Sequence, residues 1–343
     1  MRPQQVAQSV WIFSAIATAA VYLASGDAAV TTPTILVATW RDGLFAFTGE
    51  TAHQELAGQA VGALSSDGHG RALAIVDGHS LCLRAHNGAW STIATSESQL
   101  SSSGVVGDTI YVGTDDARIL RVSPTGAMDQ LDGFDAVPGR DTWYAGSALI
   151  DGQLVGPPLG IRSITATSNG VVLLVNVHVG GVPRSTDGGM TWQPTIEVAS
   201  DVHEVVAHPI DPDIVIAAAA IGLCISRDGG ATWTLEREGL HALHCSAVAF
   251  WGNDILVSAA AHHFATEGAV YRRSIDGHGS LVPVGAGLPR WIDGIVDTRC
   301  IGTHASTGAV ADRGGNLYVS VNAGGTWSRR TTGLSAPSSV LIV

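Results

Sequence analysis

Apolar and polar positions alternate in short runs along most of the chain, and turn residues separate the runs. Asp213-Ile-Val-Ile-Ala-Ala218 is one such run, and Ser338-Ser-Val-Leu-Ile-Val343 ends the sequence as another. Period-two alternation bounded by Gly, Asp and Asn predicts half-buried strands joined by tight turns. The strands group into units that repeat roughly every forty to fifty residues, a spacing that signals an array of like supersecondary units. Residues 34–38, 44–48 and 53–56 supply only three strands of the first unit, and the final apolar strand is free to complete it.

One eight-residue pattern marks the turn between the last two strands of a unit. Ser226-Arg-Asp-Gly-Gly-Ala-Thr-Trp233 returns as Ser185-Thr-Asp-Gly-Gly-Met-Thr-Trp192 and Ser320-Val-Asn-Ala-Gly-Gly-Thr-Trp327, with Ser274-Ile-Asp-Gly-His-Gly-Ser-Leu281 as a worn copy. Its carboxylate can accept N–H bonds from its own turn, its glycines supply positive φ, and its Trp opens the next strand as a packing residue. Asp187, Asp228 and Asp276 are therefore read as structural, because an Asp spent on its own turn is poorly placed for chemistry.

The pattern resembles the Asp-box, or BNR, repeat of sialidase-like, sortilin-like and photosystem-assembly-factor-like β-propellers. That resemblance implies boxes on one face and ligands on the other, where connections into inner strands meet the loops that follow second strands. Sialidase activity is not implied. The arginine that opens the sialidase triad in an Arg-Ile-Pro sequence has no counterpart, since Arg118 precedes Ile-Leu and Arg162 precedes Ser-Ile.

The expected fold is all-β: a single seven-bladed β-propeller of four-stranded antiparallel blades over residues 31–343, closed when the C-terminal strand completes the N-terminal blade. Later blades fall at 60–96, 101–131, 160–195, 202–239, 244–287 and 292–333. An insertion at 132–158 carries Trp143 and Tyr144, and extra strands hidden there leave six to eight blades open.

Composition narrows the chemistry. All 18 basic residues are Arg, which excludes a Schiff-base lysine and a P-loop lysine. A formal charge of −12 without a basic stretch argues against nucleic acid. The four cysteines have no paired spacing and read as buried small hydrophobes. Within the first 30 residues, the apolar run 10–23 fits a signal-peptide h-region better than a bilayer span of about 20 residues. Export to a periplasmic or extracellular space is expected, and a cytoplasmic location if residues 1–30 belong to the fold.

Aligning inner strands by apolar pattern puts Arg162, His203, His244 and Asp293 at equivalent positions near the channel entrance, with His178, His262 and His263 on neighbouring loops. Three readings follow. His203, His244, His262, His263 and Asp293 form a candidate set for one divalent transition metal ion. Alternatively, His203, His244 and Asp293 act as acid and base while Arg162 anchors a substrate anion. In the third reading these histidines only hydrogen-bond loop backbone. His178, Trp143, Tyr144, Trp291 and Arg41 are candidate substrate contacts. His203-Glu-Val-Val-Ala-His208 is not a zinc-protease motif, because its histidines stand five apart on a strand and face opposite ways.

The expected function is small-ligand binding at the channel mouth, with a metal-assisted hydrolase or lyase as its sharp form. The alternatives are a non-catalytic scaffold for protein or peptide partners, and a glycosidase-like propeller, which needs two carboxylates about 5 to 9 Å apart.

Overall fold

The structure, a computed structural model, describes residues 32–145, 148–150, 153–155, 159–277 and 279–343. The expected export segment, residues 1–30, lies outside them. Among the described residues seven antiparallel blade sheets follow one another, six of four strands and the sixth of five, and no helix is long and apolar enough to cross a membrane. Pro337–Ile342 pairs antiparallel with Thr34–Thr39, with Ile35 opposite Ile342 and Val37 opposite Val340, so the chain's last strand is the inner strand of its first blade. Ring closure leaves no open sheet edge at the junction of the termini.

Apolar faces of neighbouring blades meet to form the core. Leu36 and Leu44 of the first blade pack on Val61 and Leu64 of the second, and Trp251 meets Trp327 edge-on at 5.7 Å. All four cysteines are buried and free. The insertion contributes a short helix at Asp132–Asp135, a 3-10 turn at Arg140–Thr142, and a hairpin of Ala148–Ile150 with Gln153–Val155.

Each box joins the third and fourth strands, as expected. In the fifth blade, Asp228 Oδ1 accepts the N–H groups of Ala231 (3.0 Å) and Thr232 (2.8 Å), while Oδ2 accepts the Thr232 hydroxyl (2.6 Å). The same bonds hold Asp187 to Thr191 and bring its carboxyl down to about 2.

Two features of the inner strands position the site. Register shifts at Gly62, Ser101, Arg162 and His203 place one extra residue near the start of the inner strand in blades two to five. A bulge of this kind re-aims the side chain it carries. The second feature corrects the expected register of blade seven, whose inner strand is Ile301–His304. Ile292–Asp293 instead pairs with Glu267 and Gly268 on the sixth sheet. The apolar residues Ile292, Ile295 and Val296 that mimic an inner strand are buried within the connection between the two blades.

Candidate functional site

Arg299 closes the channel. Its Nη1 donates to the carbonyl oxygens of Arg162 (2.5 Å) and Ser101 (3.4 Å), and its Nη2 to that of Gly62 (3.2 Å), so blade seven is tied to blades two, three and four. Glu204 Oε2 accepts the backbone N–H groups of Arg299 (3.2 Å) and Val248 (3.0 Å). Burial pushes the Glu204 carboxyl up to about 7 in spite of those bonds.

Above this plug, four imidazoles form an arc across blades four, five and six. His178 and His203 stack at 6.0 Å, His203 and His244 stand 4.6 Å apart, and His263 follows at 6.3 Å. His178 lies on the loop after Leu173–Val177, and His203 on the bulge of Val202–Ala207. His244 opens the strand His244–Trp251, and His263 sits on the loop after Asp254–Ala260.

Between the first two rings sits Asp201, held at φ 47° at the entry to its inner strand. Its Oδ1 is 3.5 Å from His178 Nε2 and its Oδ2 is 3.6 Å from His203 Nε2. Those separations are long for hydrogen bonds. They match the edges of a coordination polyhedron, since two ligands about 2.0–2.1 Å from a tetrahedral ion stand about 3.4 Å apart. One ligand atom from each of His178, Asp201 and His203 lies within 4.8 Å of the others.

Tautomer logic sharpens the arrangement. His203 Nδ1 is 2.6 Å from the Cys245 carbonyl oxygen, an acceptor, so Nδ1 carries the proton. In the neutral ring, Nε2 then turns a lone pair towards a carboxylate. His178 Nδ1, Asp201 Oδ1 and His244 Nε2 are all buried without a hydrogen-bond partner among the described residues. Of these, Asp201 Oδ1 faces His178 Nε2 inside the group, where a bridging ion or water would satisfy it.

Charge states agree with that demand. Burial, and behind it the Arg162 guanidinium, brings His178 down to about 3. Burial, then His203, brings His244 down to about 4. Burial opposes ionisation of Asp201, yet His203, His178 and Arg162 override it and hold the carboxyl at about 2. A neutral His178 beside an ionised Asp201 is the pair of protonation states that metal ligation requires.

A second carboxylate organises the cationic side. Asp297 accepts from Arg162 Nη2 (3.3 Å) and Arg313 Nη2 (3.1 Å), and Arg162 Nη2 also donates to Thr298 Oγ1 (2.7 Å). Both arginines overcome the burial of Asp297 and hold its carboxyl far below the usual carboxylate range.

Other expected contacts fall elsewhere. Asp293 is exposed on the sixth sheet, its amide donating to Asp312, and it is not a member of the His178–Asp201–His203 group. His262 is exposed, and its Nδ1 accepts the N–H of Phe264. Trp143 is buried against Phe134 and under Gly180, so it supports the His178 loop from beneath as a packing residue. Tyr144 is exposed beside that loop, its N–H on the Val179 carbonyl. Trp291 is partly exposed, edge-on to His241 and under Arg290. Arg41 is exposed in the turn beside Trp40.

Asp201, Asp297, Arg299 and Arg313 were not singled out from the sequence. A signal for three of them exists: Asp201-Val-His203 and Asp297-Thr-Arg299 repeat one spacing at the entry to their inner strands.

Comparison with known proteins agrees on the fold. The BNR/Asp-box repeat matches residues 184–194. No curated protein matches the sequence. Among solved structures, an ancestral GH74 enzyme superposes with a TM-score of 0.57 at 14% identity, covering 82% of this chain and 38% of that one. The GH74 xyloglucanase from Xanthomonas campestris gives 0.54 at 16% identity, covering 78% and 45%. This chain thus spans less than half the length of either, and likeness at such identity speaks for the propeller alone.

Proposed function

We propose that this propeller binds a small ligand at the closed mouth of its channel, around one divalent transition metal ion held by His178, Asp201 and His203. The observation that carries the reading is the His203 ring: its Nδ1–H is committed to the Cys245 carbonyl, and its Nε2 faces Asp201 beside His178. Three protein ligands leave a coordination position for water or substrate, the pattern of catalytic rather than structural sites. Such an ion supplies Lewis acidity and an acidified bound water, which suits hydrolysis or elimination.

The chain's own residues do the rest. The Cys245 carbonyl fixes the His203 tautomer and aims the ring. His244, a neutral base with a buried and unpartnered Nε2, can hold a proton beside the ligand. Arg162 sits next to the cluster, and its Nε and Nη1 make no hydrogen bond among the described residues, so it can orient a substrate anion. Arg299 braces the inner strands beneath by bonding the Arg162 and Gly62 carbonyls.

Elemental analysis of protein purified without chelators tests this reading. About one equivalent of a transition metal, lost in His203→Ala, is the expected result. A metal-free protein that stays metal-free after reconstitution overturns it.

Glycoside hydrolysis is a second reading, favoured by one observation, that both fold neighbours are GH74 enzymes. Release of reducing ends from xyloglucan by the purified chain, in the presence of chelator, would establish it in place of the metal reading.

A further inference from the structure

A cavity of about 420 Å³ opens over blades one to four, within the range of about 300–1,000 Å³ typical of small-molecule sites. Trp40, Ile75 and Leu100 form apolar walls, and the Arg299 plug closes it off from the channel. Trp40 is 52% exposed, a large ring left open to solvent. Its ring lies over Gly62, where an added Cβ would stand only 3.1 Å from Cζ3, so the glycine admits this close stacking.

Four charged side chains line the cavity, and two of them are already used. Asp77 Oδ1 accepts the Ala60 N–H (2.8 Å) and its Oδ2 the Gln59 amide (3.1 Å). Arg299 Nη1 and Nη2 are spent on three carbonyl oxygens, and its Nε is buried without a partner among the described residues. Asp115 differs: its backbone N–H bonds Gln99, but its carboxylate has no hydrogen-bond partner among the described residues. Arg162 is engaged through Nη2 alone, which leaves its other guanidinium N–H groups free.

One unpaired carboxylate and one guanidinium with unbonded Nε and Nη1 thus share an apolar cavity beside the Arg299 plug. A cation alone would meet Arg162 unfavourably, and an anion alone would meet Asp115 unfavourably. Only a ligand that carries both charges satisfies both groups. We infer that the cavity binds a free amino acid with an apolar side chain, its ammonium on Asp115, its carboxylate on Arg162 and its side chain against Trp40.

Burial, reinforced by Asp116, pushes the Asp115 carboxyl up to about 6, so the ligand's ammonium is met by an ionised partner at neutral pH and a neutral one in acid. Asp77, Asp116, Arg162 and Arg299 are the other charged groups around it. Asp116 is tied to Thr114 and Arg118, and Asp297 and Glu204 stand beside the two arginines.

Calorimetric titration of the chelator-treated chain with L-phenylalanine, N-acetyl-L-phenylalanine and L-phenylalaninamide tests the inference at neutral pH. The absence of metal keeps the result independent of the metal reading. L-Phenylalanine should bind, and each derivative should bind about tenfold more weakly or worse, because each leaves one desolvated charge unpaired. Asp115→Asn should weaken L-phenylalanine by a similar factor, and the wild-type affinity should fall as pH drops through about 6. No binding of L-phenylalanine at millimolar concentration overturns the inference. So does equal binding of all three compounds by the wild type, a comparison that needs no variant to fold.

Discussion

The Nη2 group of Arg299 donates to the carbonyl oxygen of Gly62 at 3.2 Å, joining residues 237 positions apart across the axis of the propeller. Blade seven is thereby fastened to blade two, past the blade that the two termini share, and Glu204 lies buried beside the same arginine.

Removing that arginine leaves three bulge-strand contacts broken and Glu204 without its nearest cation. Arg299→Ala should destabilise the fold by about 3–5 kcal/mol, the range for breaking a buried charged network from one side. Arg299→Lys should recover only part of this, because an ammonium cannot fork to three carbonyls. Chemical denaturation measures both, and a loss under about 1 kcal/mol for alanine would mean the cross-channel bonds are not holding the ring.

Metal affinity should separate the histidines by position. His178→Ala and His203→Ala are expected to weaken binding by about 100-fold or more, since even outer partners of a metal ligand cost about 10–100-fold. His262→Ala and Asp293→Ala should change it little, one side chain being committed to Phe264 and the other lying on the sixth sheet. Competition with a fluorescent chelator reads all four, and equal losses would contradict the assignment.

Asp115 carries a pH signature. Its folded carboxyl, about 6, lies above the ordinary 3.8, so the native state holds the proton more tightly than the unfolded chain. Stability from this group is therefore full below pH 3.8 and declines as pH rises through about 6. With the side chain partly open to solvent and screened, Asp115→Asn should gain about 1 kcal/mol at pH 8 and nothing at pH 3. Paired melts at the two pH values decide it, and an equal difference at both would refute the linkage.

The box aspartates run the other way. Slight burial would raise the Asp228 carboxyl, but four bonds accepted from its own turn outweigh it and lower the pKa. Its contribution is present above the unfolded pKa and lost as pH falls through the folded one. Asp228→Ala should cost about 1–2 kcal/mol by the loss of those bonds, leaving metal content untouched. A metal-deficient but equally stable variant would reverse the structural reading of the box.

Which features were legible in the sequence follows from the range of the interactions behind them. Boxes and hairpins arise from period-two alternation and turn chemistry, and both act within a few residues. The pairing of the termini followed from the strand missing in the first blade. Ser185, Asp187 and Thr191 find one another inside a single turn, so the pattern alone places the bonds. That His178, His203, His244 and Arg162 come together at one end of the ring was also legible, because blade grammar assigns faces.

The membership of the site was decided at longer range. Asp201 joins two histidines because a backbone at φ 47° turns it inward, and Asp297 gathers Arg162 from 135 residues away. Asp293 was aligned by an apolar pattern that the connection between blades imitates, where Ile292, Ile295 and Val296 are buried without forming an inner strand. Alternation records which side chains are buried, not what covers them. Only the closed ring, in which Arg299 reaches three other blades, settles which carboxylates meet which histidines and which charges remain free for a ligand.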